Sequence, residues 1–204
     1  TITKNKLKKI LKIDNFRSKI FVITFHPVTL ENNTSKIHFN NILNAINTFQ
    51  DTTFIFTYPG ADMYGNIIIN LINKFVANSK NAFAFKSLGR RNYFSLLKTA
   101  NLVIGNSSSG ITEVPYFKIP TINVGERQNG RTMAKSIINV PPIKSKIIKA
   151  IKFSETNKFQ SICKSVKGTY GKPGASKKSF RIIKRNLRNI KVKKNFYDIN
   201  FKEN

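Results

Sequence analysis

Apolar and polar positions along the chain repeat as short apolar runs separated by one-sided helical patterns. Lys19–Phe25 is apolar and rich in β-branched and aromatic residues, which predicts a buried parallel strand. Similar runs predict four more strands, at Thr53–Thr57, Ala82–Phe85, Leu102–Ile104 and Pro120–Val124. Between them, apolar residues at helical spacing predict helices over Ile37–Phe49, Tyr64–Ala77, Arg91–Ala100 and from Ile111 to Phe117.

Strands that alternate with helices at this spacing form βαβ units and a parallel sheet. Because such crossovers are right-handed, the predicted fold class is α/β: a Rossmann-like parallel sheet with helices on both faces. We expect this nucleotide-binding domain to cover residues 1–140, with a short basic helix over Lys4–Ile13 before the first strand.

The pattern changes after the pair Pro141-Pro142, which breaks the chain. Basic helices are predicted over Ile143–Phe153 and Lys177–Arg188, with a glycine-rich loop over Thr169–Ser176 between them. We therefore expect residues 141–188 to form helices that pack on the domain, and residues 189–204 to be a basic, poorly ordered tail.

The composition is strongly basic, with 36 Lys and Arg against 9 Asp and Glu and a net charge of +27. Such a balance favours a nucleic acid, an anionic membrane surface or a phosphorylated ligand as partner. The chain is also rich in Ile, Asn, Lys and Phe, the residues of A/T-rich codons, so a biased genome is an equal explanation for the lysines. Aromatic residues do not interleave with the basic ones as stacking platforms for bases would require.

Other features narrow the class of protein. No apolar run approaches the roughly 20 residues that span a bilayer. The single cysteine, Cys163, can form no internal disulfide and suits a reducing cytoplasm. No Cys or His cluster has the spacing of metal ligands, so no metal cofactor is expected.

The segment Leu102–Glu113 reads as a strand, a loop of small residues and the start of a helix. Ligands of open α/β sheets bind beyond the carboxyl ends of strands, where a helix N-terminus offers free amide groups to an anion. Gly105 and Gly110 allow close backbone approach, and the hydroxyls of Ser107, Ser108 and Ser109 add neutral donors. One serine would be an ordinary helix cap, but three between two glycines favour a phosphate site. The loop matches neither the Walker A nor the GxGxxG pattern.

Other candidates lie at the same edge of the predicted sheet. In the loop Gly125–Arg131, Arg127 and Arg131 are suited to paired hydrogen bonds with a diphosphate, or are simply solvated. His26 follows the first strand and either points into the cleft or is structural. Glu113 either complements the helix dipole or accepts hydrogen bonds from ribose hydroxyls.

No pair of carboxylates suited to general acid–base catalysis stands at this edge. The acidic residues of the predicted domain are Asp14, Glu31, Asp51, Asp62, Glu113 and Glu126. An enzyme that moves a proton at carbon needs more than these supply.

Six segments follow one another along the chain: His26-Pro-Val-Thr, Tyr58-Pro-Gly-Ala-Asp62, Ser87-Leu-Gly89, Gly105-Asn-Ser-Ser-Ser-Gly-Ile-Thr-Glu113, Pro120-Thr-Ile-Asn-Val-Gly125 and Arg127-Gln-Asn-Gly-Arg131. In this order they resemble the second domain of the hydrolysing UDP-N-acetylglucosamine 2-epimerases of sialic-acid-type pathways. Relatives of those enzymes act on nucleotide-linked diacetylbacillosamine for legionaminic acid. Tyr170–Lys177 resembles the family's glycine-rich segment near the C-terminus, so the resemblance covers about residues 1 to 188.

The resemblance implies two Rossmann-like domains in the GT-B arrangement, of which the second holds the nucleotide. It places Ser107 and Ser108 at the diphosphate, Glu113 at the ribose and Arg127 on the phosphate or sugar side. It gives His26 a catalytic position.

The same resemblance places the backbone from Phe85 to Ser87 near the uracil. The implied reaction abstracts the proton at sugar C2, eliminates the nucleoside diphosphate in the anti sense, and adds water to the glycal. A UDP- or GDP-linked amino sugar is the implied substrate, with no metal or redox cofactor, a homo-oligomeric full-length enzyme and no membrane partner.

Two departures from the family pattern matter. Gly60 stands where the family usually has Asn, which weakens one expected nucleotide contact. The first domain, which supplies the acidic catalytic residues, has no counterpart in this sequence, so we expect the chain alone to bind weakly and not to turn over. The alternatives are a GT-B glycosyltransferase domain and a basic nucleic-acid-binding protein; against the latter, much of the charge lies after Lys144 and away from the serine loop.

Overall fold

The computed structural model describes residues 2–28, 34–60, 64–189 and 193. Within these residues lies one six-stranded parallel sheet with the strand order β3-β2-β1-β4-β5-β6. The strands are β1 Lys19–Thr24, β2 Thr52–Thr57, β3 Ala82–Phe85, β4 Leu102–Gly105, β5 Thr121–Val124 and β6 Ile137–Val140. This is the strand order of doubly wound dinucleotide-binding folds, so the predicted fold class is confirmed.

The first helix precedes β1, and the other helices connect successive strands or follow the last one. The helices are α1 Lys4–Leu11, α2 Ser35–Ile46, α3 Gly65–Ala77, α4 Gly89–Leu97, α5 Ser109–Thr112, α6 Lys144–Ser154, α7 Asn157–Ser165 and α8 Ala175–Asn186, with short 3₁₀ helices at Val114–Phe117 and Leu187–Asn189. No helix in the described part of the chain is long and apolar enough to cross a membrane.

Successive side chains of the strands supply two separate cores, one on each face of the sheet. Phe21 and Ile23 of β1 point to the face covered by α2, α3 and α6. Ile20 and Val22 point to the face covered by α1 and α4. Because both faces are buried, the strands read as continuous apolar runs, which is why their positions were predictable.

The structure differs from the sequence prediction at three elements. The edge strand β6 was not predicted, because three of its residues are only partly buried, Asn139 is exposed, and the strand lies directly before Pro141. Helix α7 was also missed, since its buried residues are only Phe159 and Cys163. The predicted helix from Ile111 to Phe117 is instead a single turn of α-helix followed by a 3₁₀ helix. Pro115 lacks an amide hydrogen and its ring excludes a continuous α-helix.

The chain divides into two compact units, Thr1–Tyr170 and Gly171–Asn204. The first contains the sheet and helices α1 to α7. The second contains α8, which begins inside the predicted glycine-rich loop and has no buried residue. The predicted boundaries after residues 140 and 188 stay predictions, and the predicted tail lies outside the described residues except at 189 and 193.

Candidate functional site

The strands β1 and β4 flank the topological switch point of the sheet, because strands are added on one side of β1 up to β3 and on the other side from β4 onward. These strands are neighbours, and Thr24 is in register with Gly105. Gly105 has a φ of 136°, and a Cβ there would lie 1.8 Å from the carbonyl oxygen of Thr24. The glycine is therefore required for close contact between the two strands at the edge where open α/β sheets bind ligands.

Asn106 continues the contact between these strand ends. Its side-chain Oδ1 accepts a hydrogen bond from the backbone N–H of His26 at 2.7 Å, and its Nδ2 donates to the His26 carbonyl at 2.8 Å. Its own N–H donates to the carbonyl of Thr24 at 3.2 Å. These hydrogen bonds hold the backbone of His26 beside the serine loop, and His26 itself is half-buried.

The carbonyl oxygen of Asn106 reaches the loop after β5. It accepts hydrogen bonds from Arg127 Nη1 at 3.1 Å and from Gln128 Nε2 at 2.7 Å. Gln128 is buried and Arg127 is exposed. The loop that carries both predicted arginines is thus attached to the residue that precedes Ser107.

A cavity of about 440 Å³ opens at the same edge of the sheet. Its walls come from the ends of β1, β2 and β3, the start of α4 and the serine loop, including Thr24, Thr57, Ser87, Arg90, Tyr93, Ser107, Ser109 and Glu113. A separate cavity of about 460 Å³, lined by Lys19, Asn101 and Glu155 among others, lies at the opposite ends of the strands, where this fold does not bind its ligands.

A chain of hydrogen bonds runs from α4 through the serine loop to Glu113. Ser109 Oγ donates to Glu113 Oε2 at 2.5 Å and lies 2.7 Å from the Tyr93 hydroxyl, which must then be the donor to Ser109. Burial raises the pKa of Tyr93 to about 12; the hydrogen bond with Ser109 opposes this rise, and the Glu113 charge adds to it. Tyr93 therefore remains a neutral donor, and the carboxylate of Glu113 is fixed at the cavity wall.

The serine loop itself is built around one turn of helix. The amide groups of Gly110 and Ile111 donate to the carbonyls of Ser107 and Ser108 at 3.1 and 3.0 Å. Within the described part of the chain, the amides of Ser107 and Ser108 have no hydrogen-bond acceptor. Because α5 has only four residues, the expected helix-dipole contribution is that of a single turn, and individual N–H groups are the main attraction for an anion.

The structure places the predicted site residues in three groups. Ser87, Ser107 and Glu113 line the cavity, and Phe85 ends β3 one residue before the lining residue Lys86. Of the predicted residues outside this lining, His26 and Arg127 are joined to Asn106.

The remaining two predicted residues are solvent-facing. Ser108 and Arg131 are exposed and do not line the cavity; the Arg131 amide donates to the Gln128 carbonyl at 3.3 Å. No three His, Cys, Asp or Glu side chains among the described residues lie together as a metal site.

Asn106 and Tyr93 were not predicted as site residues, and Ser109 was predicted only as one of three neutral donors, not as the link between Tyr93 and Glu113. Asn106 and Ser109 stood inside the predicted loop but had no partner identifiable from sequence. Tyr93 was assigned to the apolar face of a helix, and only its hydroxyl reaches the site. For Asn106 and Ser109, the only indication in the sequence is their position next to Ser107 and Ser108.

Comparison with known proteins decides the family. The sequence model of the family described as UDP-N-acetylglucosamine 2-epimerase matches residues 1–184. This chain belongs to that family. It is 36% identical over 197 residues to the polysialic acid biosynthesis protein P7 of Escherichia coli, covering 96% of this chain and 50% of that protein.

Other members of the UDP-N-acetylglucosamine 2-epimerase family show the same partial coverage. The chain is 37% identical over 139 residues to the GDP/UDP-N,N'-diacetylbacillosamine 2-epimerase (hydrolyzing) of Campylobacter jejuni, covering 68% of this chain and 36% of that enzyme. It therefore spans half the length or less of these curated relatives.

Solved structures support the fold. The UDP co-structure of MnaA from S. aureus aligns with a TM-score of 0.68 at 16% identity, covering 97% of this chain and 54% of that one. The Methanocaldococcus jannaschii UDP-GlcNAc 2-epimerase in complex with UDP-GlcNAc and UDP gives 0.65 at 20% identity, covering 90% and 49%. At these identities the likeness concerns architecture, in which this chain corresponds to about half of a GT-B-type epimerase.

Proposed function

We propose that this chain is the nucleotide-holding part of a hydrolysing 2-epimerase, with a UDP-linked amino sugar as substrate. The observation that carries the proposal is the placement of Ser107 and Glu113 on one cavity at the sheet's switch point. In an open α/β sheet that place is the ligand crevice. The relatives' names and the UDP in structural neighbours favour a nucleoside diphosphate over other anions.

The diphosphate is proposed to lie against the serine loop. The amides of Ser107 and Ser108 and the hydroxyl of Ser107 supply neutral donors, and such backbone nests bind phosphate oxygens. Arg127, attached to the neighbouring Asn106 carbonyl, supplies positive charge. A guanidinium can bind two phosphate oxygens at once, so this arginine contributes direction as well as charge.

The nucleoside is proposed to extend from Glu113 toward β3. Ser109 Oγ donates a hydrogen bond to Glu113 Oε2. Among the described residues no donor contacts Glu113 Oε1, so this oxygen is proposed to accept a hydrogen bond from a ribose hydroxyl. Phe85 to Ser87 then lie on the base side of the cavity. Ser87 and Leu88 are among the residues that line this part.

The proposed chemistry follows from the family resemblance. Loss of the C2 proton and cleavage of the C1–O bond release UDP and leave a glycal; addition of water puts a hydroxyl on C1 and a proton on C2 from the opposite face. His26 is proposed to reach this reacting end. The acidic groups that move the C2 proton are proposed to come from the half of the family-length protein that this chain does not span.

A deuterium experiment tests this function. A protein that joins this chain to the half found in its relatives is incubated with UDP-GlcNAc in D₂O without a sugar acceptor. The products are followed by proton NMR. We expect UDP and free N-acetylmannosamine carrying deuterium at C2, whereas the 204-residue chain alone gives none. A product that forms only when a sugar acceptor is added would identify a glycosyltransferase and reject the proposal.

A further inference from the structure

Asn106 connects three segments that meet at the site. Its side chain holds the N–H and the carbonyl of His26, its amide donates to Thr24, and its carbonyl accepts from Arg127 and Gln128. Its exposed fraction is 1%. We infer that Asn106 is the positioning residue that fixes His26 and Arg127 relative to the phosphate loop; the inference rests on the proposed function.

The chemistry of the amide suits this position. The regular pairing of β1 with β4 ends at Thr24 and Gly105. Beyond it, the Asn106 side chain presents one acceptor and one donor to the backbone of His26, which extends the pairing by one residue. A carboxylate offers two acceptors and a hydroxyl is too short to span both groups, so an amide is the side chain that satisfies both bonds.

Asn106 therefore connects the residue proposed to bind the diphosphate with the residues proposed to lie at the reacting end of the ligand. Ser107, which lines the cavity, is covalently next to Asn106. His26 and Arg127 do not line that cavity, and both are bonded to the same residue. A ligand that moves the serine loop therefore moves His26 and Arg127 with it, which aligns the reacting end with the bound diphosphate.

The same strand pair carries a matched control at its other end. The side-chain Oδ1 of Asn101 accepts from the Ile20 N–H at 2.8 Å, and the Asn101 N–H donates to the Ile20 carbonyl at 2.9 Å. Asn101 precedes β4 and lies away from the serine loop. Asn101→Ala therefore removes a comparable asparagine contact to β1 without touching the proposed site.

The first experiment needs no ligand and compares amide hydrogen exchange in Asn106→Ala, Asn101→Ala and the unmodified chain. We expect the His26 amide to exchange about tenfold faster in Asn106→Ala, as loss of a hydrogen bond worth about 1.4 kcal/mol implies. In Asn101→Ala the Ile20 amide should accelerate instead. Unchanged His26 exchange in Asn106→Ala would overturn the inference.

The second experiment adds UDP and follows the ring signals of the two histidines and of Tyr93. His38, on α2, is the internal reference. In the unmodified chain and in Asn101→Ala, UDP should shift the Tyr93 and His26 signals. In Asn106→Ala the Tyr93 shift should persist, while the His26 shift falls to less than half. An equal His26 shift in both variants contradicts a positioning role.

Two further outcomes are distinguishable. If no signal moves with UDP in the unmodified chain, the proposed function fails, and the exchange rates alone decide whether Asn106 holds His26. If Asn106→Ala does not fold, Asn106→Asp replaces it, because the carboxylate keeps the acceptor but loses the donor to the His26 carbonyl. In Asn106→Asp a full His26 response to UDP would also overturn the inference.

Discussion

The side-chain amide of Asn106 holds both backbone groups of His26, with Oδ1 at 2.7 Å from its N–H nitrogen and Nδ2 at 2.8 Å from its carbonyl oxygen. The two residues are 80 positions apart in sequence. Their contact places His26, two residues beyond the end of β1, against the start of the serine loop. The geometry of the proposed reacting end thus depends on backbone contacts as well as on the side chains that touch the ligand.

The close contact between Thr24 and Gly105 predicts a large stability loss in Gly105→Ala. The new Cβ would meet a backbone carbonyl at 1.8 Å in a conformation with φ of 136°. We expect the free energy of unfolding to fall by at least about 3 kcal/mol, measured by urea denaturation. Gly125→Ala is the control: its φ of 81° is also positive, but nothing lies within 4 Å of its Cβ. A loss there of about 1 kcal/mol is expected, and equal losses would contradict the assigned contact.

The buried hydroxyl of Tyr93 predicts a pH dependence of stability at alkaline pH. Its folded-state pKa is raised to about 12 from the ordinary value of 10.0, so unfolding favours ionisation above pH 10. Stability from the neutral hydroxyl is fully present below pH 10 and is lost as the pH rises toward 12. Relative to Tyr93→Phe, the unmodified chain should lose up to about 3 kcal/mol over that range.

The measurement for Tyr93 is the unfolding free energy of both proteins at several pH values between 9 and about 12. Taking the difference between them removes the effect of the many lysines. Tyr170→Phe is the control, because it deletes an exposed hydroxyl that donates to the Thr132 carbonyl. A constant difference between Tyr93→Phe and the unmodified chain would show that the hydroxyl is not held neutral by burial.

Arg127 and Arg131 are predicted to differ in their effect on UDP binding. Both side chains are exposed, but that of Arg127 donates to the Asn106 carbonyl beside Ser107, whereas Arg131 bonds through its backbone amide to the Gln128 carbonyl. A lysine cannot bind that carbonyl and a phosphate with one rigid group, so Arg127→Lys should weaken UDP binding by about tenfold. Arg131→Lys should change it by less than about twofold. Calorimetry measures both affinities; equal losses would remove the special role of Arg127.

The single thiol is a predicted reporter of unfolding. Cys163 is buried on α7, and burial raises its pKa to about 11, although a backbone hydrogen bond opposes the rise. Because the thiolate is the reactive form, labelling by iodoacetamide at pH 8 should be at least about 100-fold slower in the native chain than in urea. Fast labelling without urea would place Cys163 at the surface.

The sequence predicted the elements whose burial is continuous and missed those held by tertiary contacts. Strands such as β1 and β2 are buried on both faces, so their apolar runs are unambiguous. Edge strand β6 has no fully buried residue, and its assignment comes from pairing with β5. The helix after the serine loop was predicted too long because one proline, Pro115, outweighs the apolar spacing around it.

The residues of the candidate site also divide into those indicated by local sequence and those that depend on tertiary contacts. Ser107 and Glu113 line the cavity, and they could be singled out because they follow a strand within a few residues of one another. Asn106, Tyr93 and Ser109 act through contacts with partners on other elements or through one hydroxyl at the end of an apolar ring. Local spacing does not contain that information, since it depends on how strands and helices meet.

The role of Glu113 is the most direct test of the nucleotide site. UDP is titrated into the unmodified chain, Glu113→Ala and the control Glu155→Ala, whose carboxylate pairs with Lys19 at the other end of the sheet at 2.6 Å. We predict that UDP binds the unmodified chain and Glu155→Ala equally, and that Glu113→Ala binds at least about tenfold more weakly. Equal affinity in Glu113→Ala, or no binding by the unmodified chain at millimolar UDP, would contradict the account.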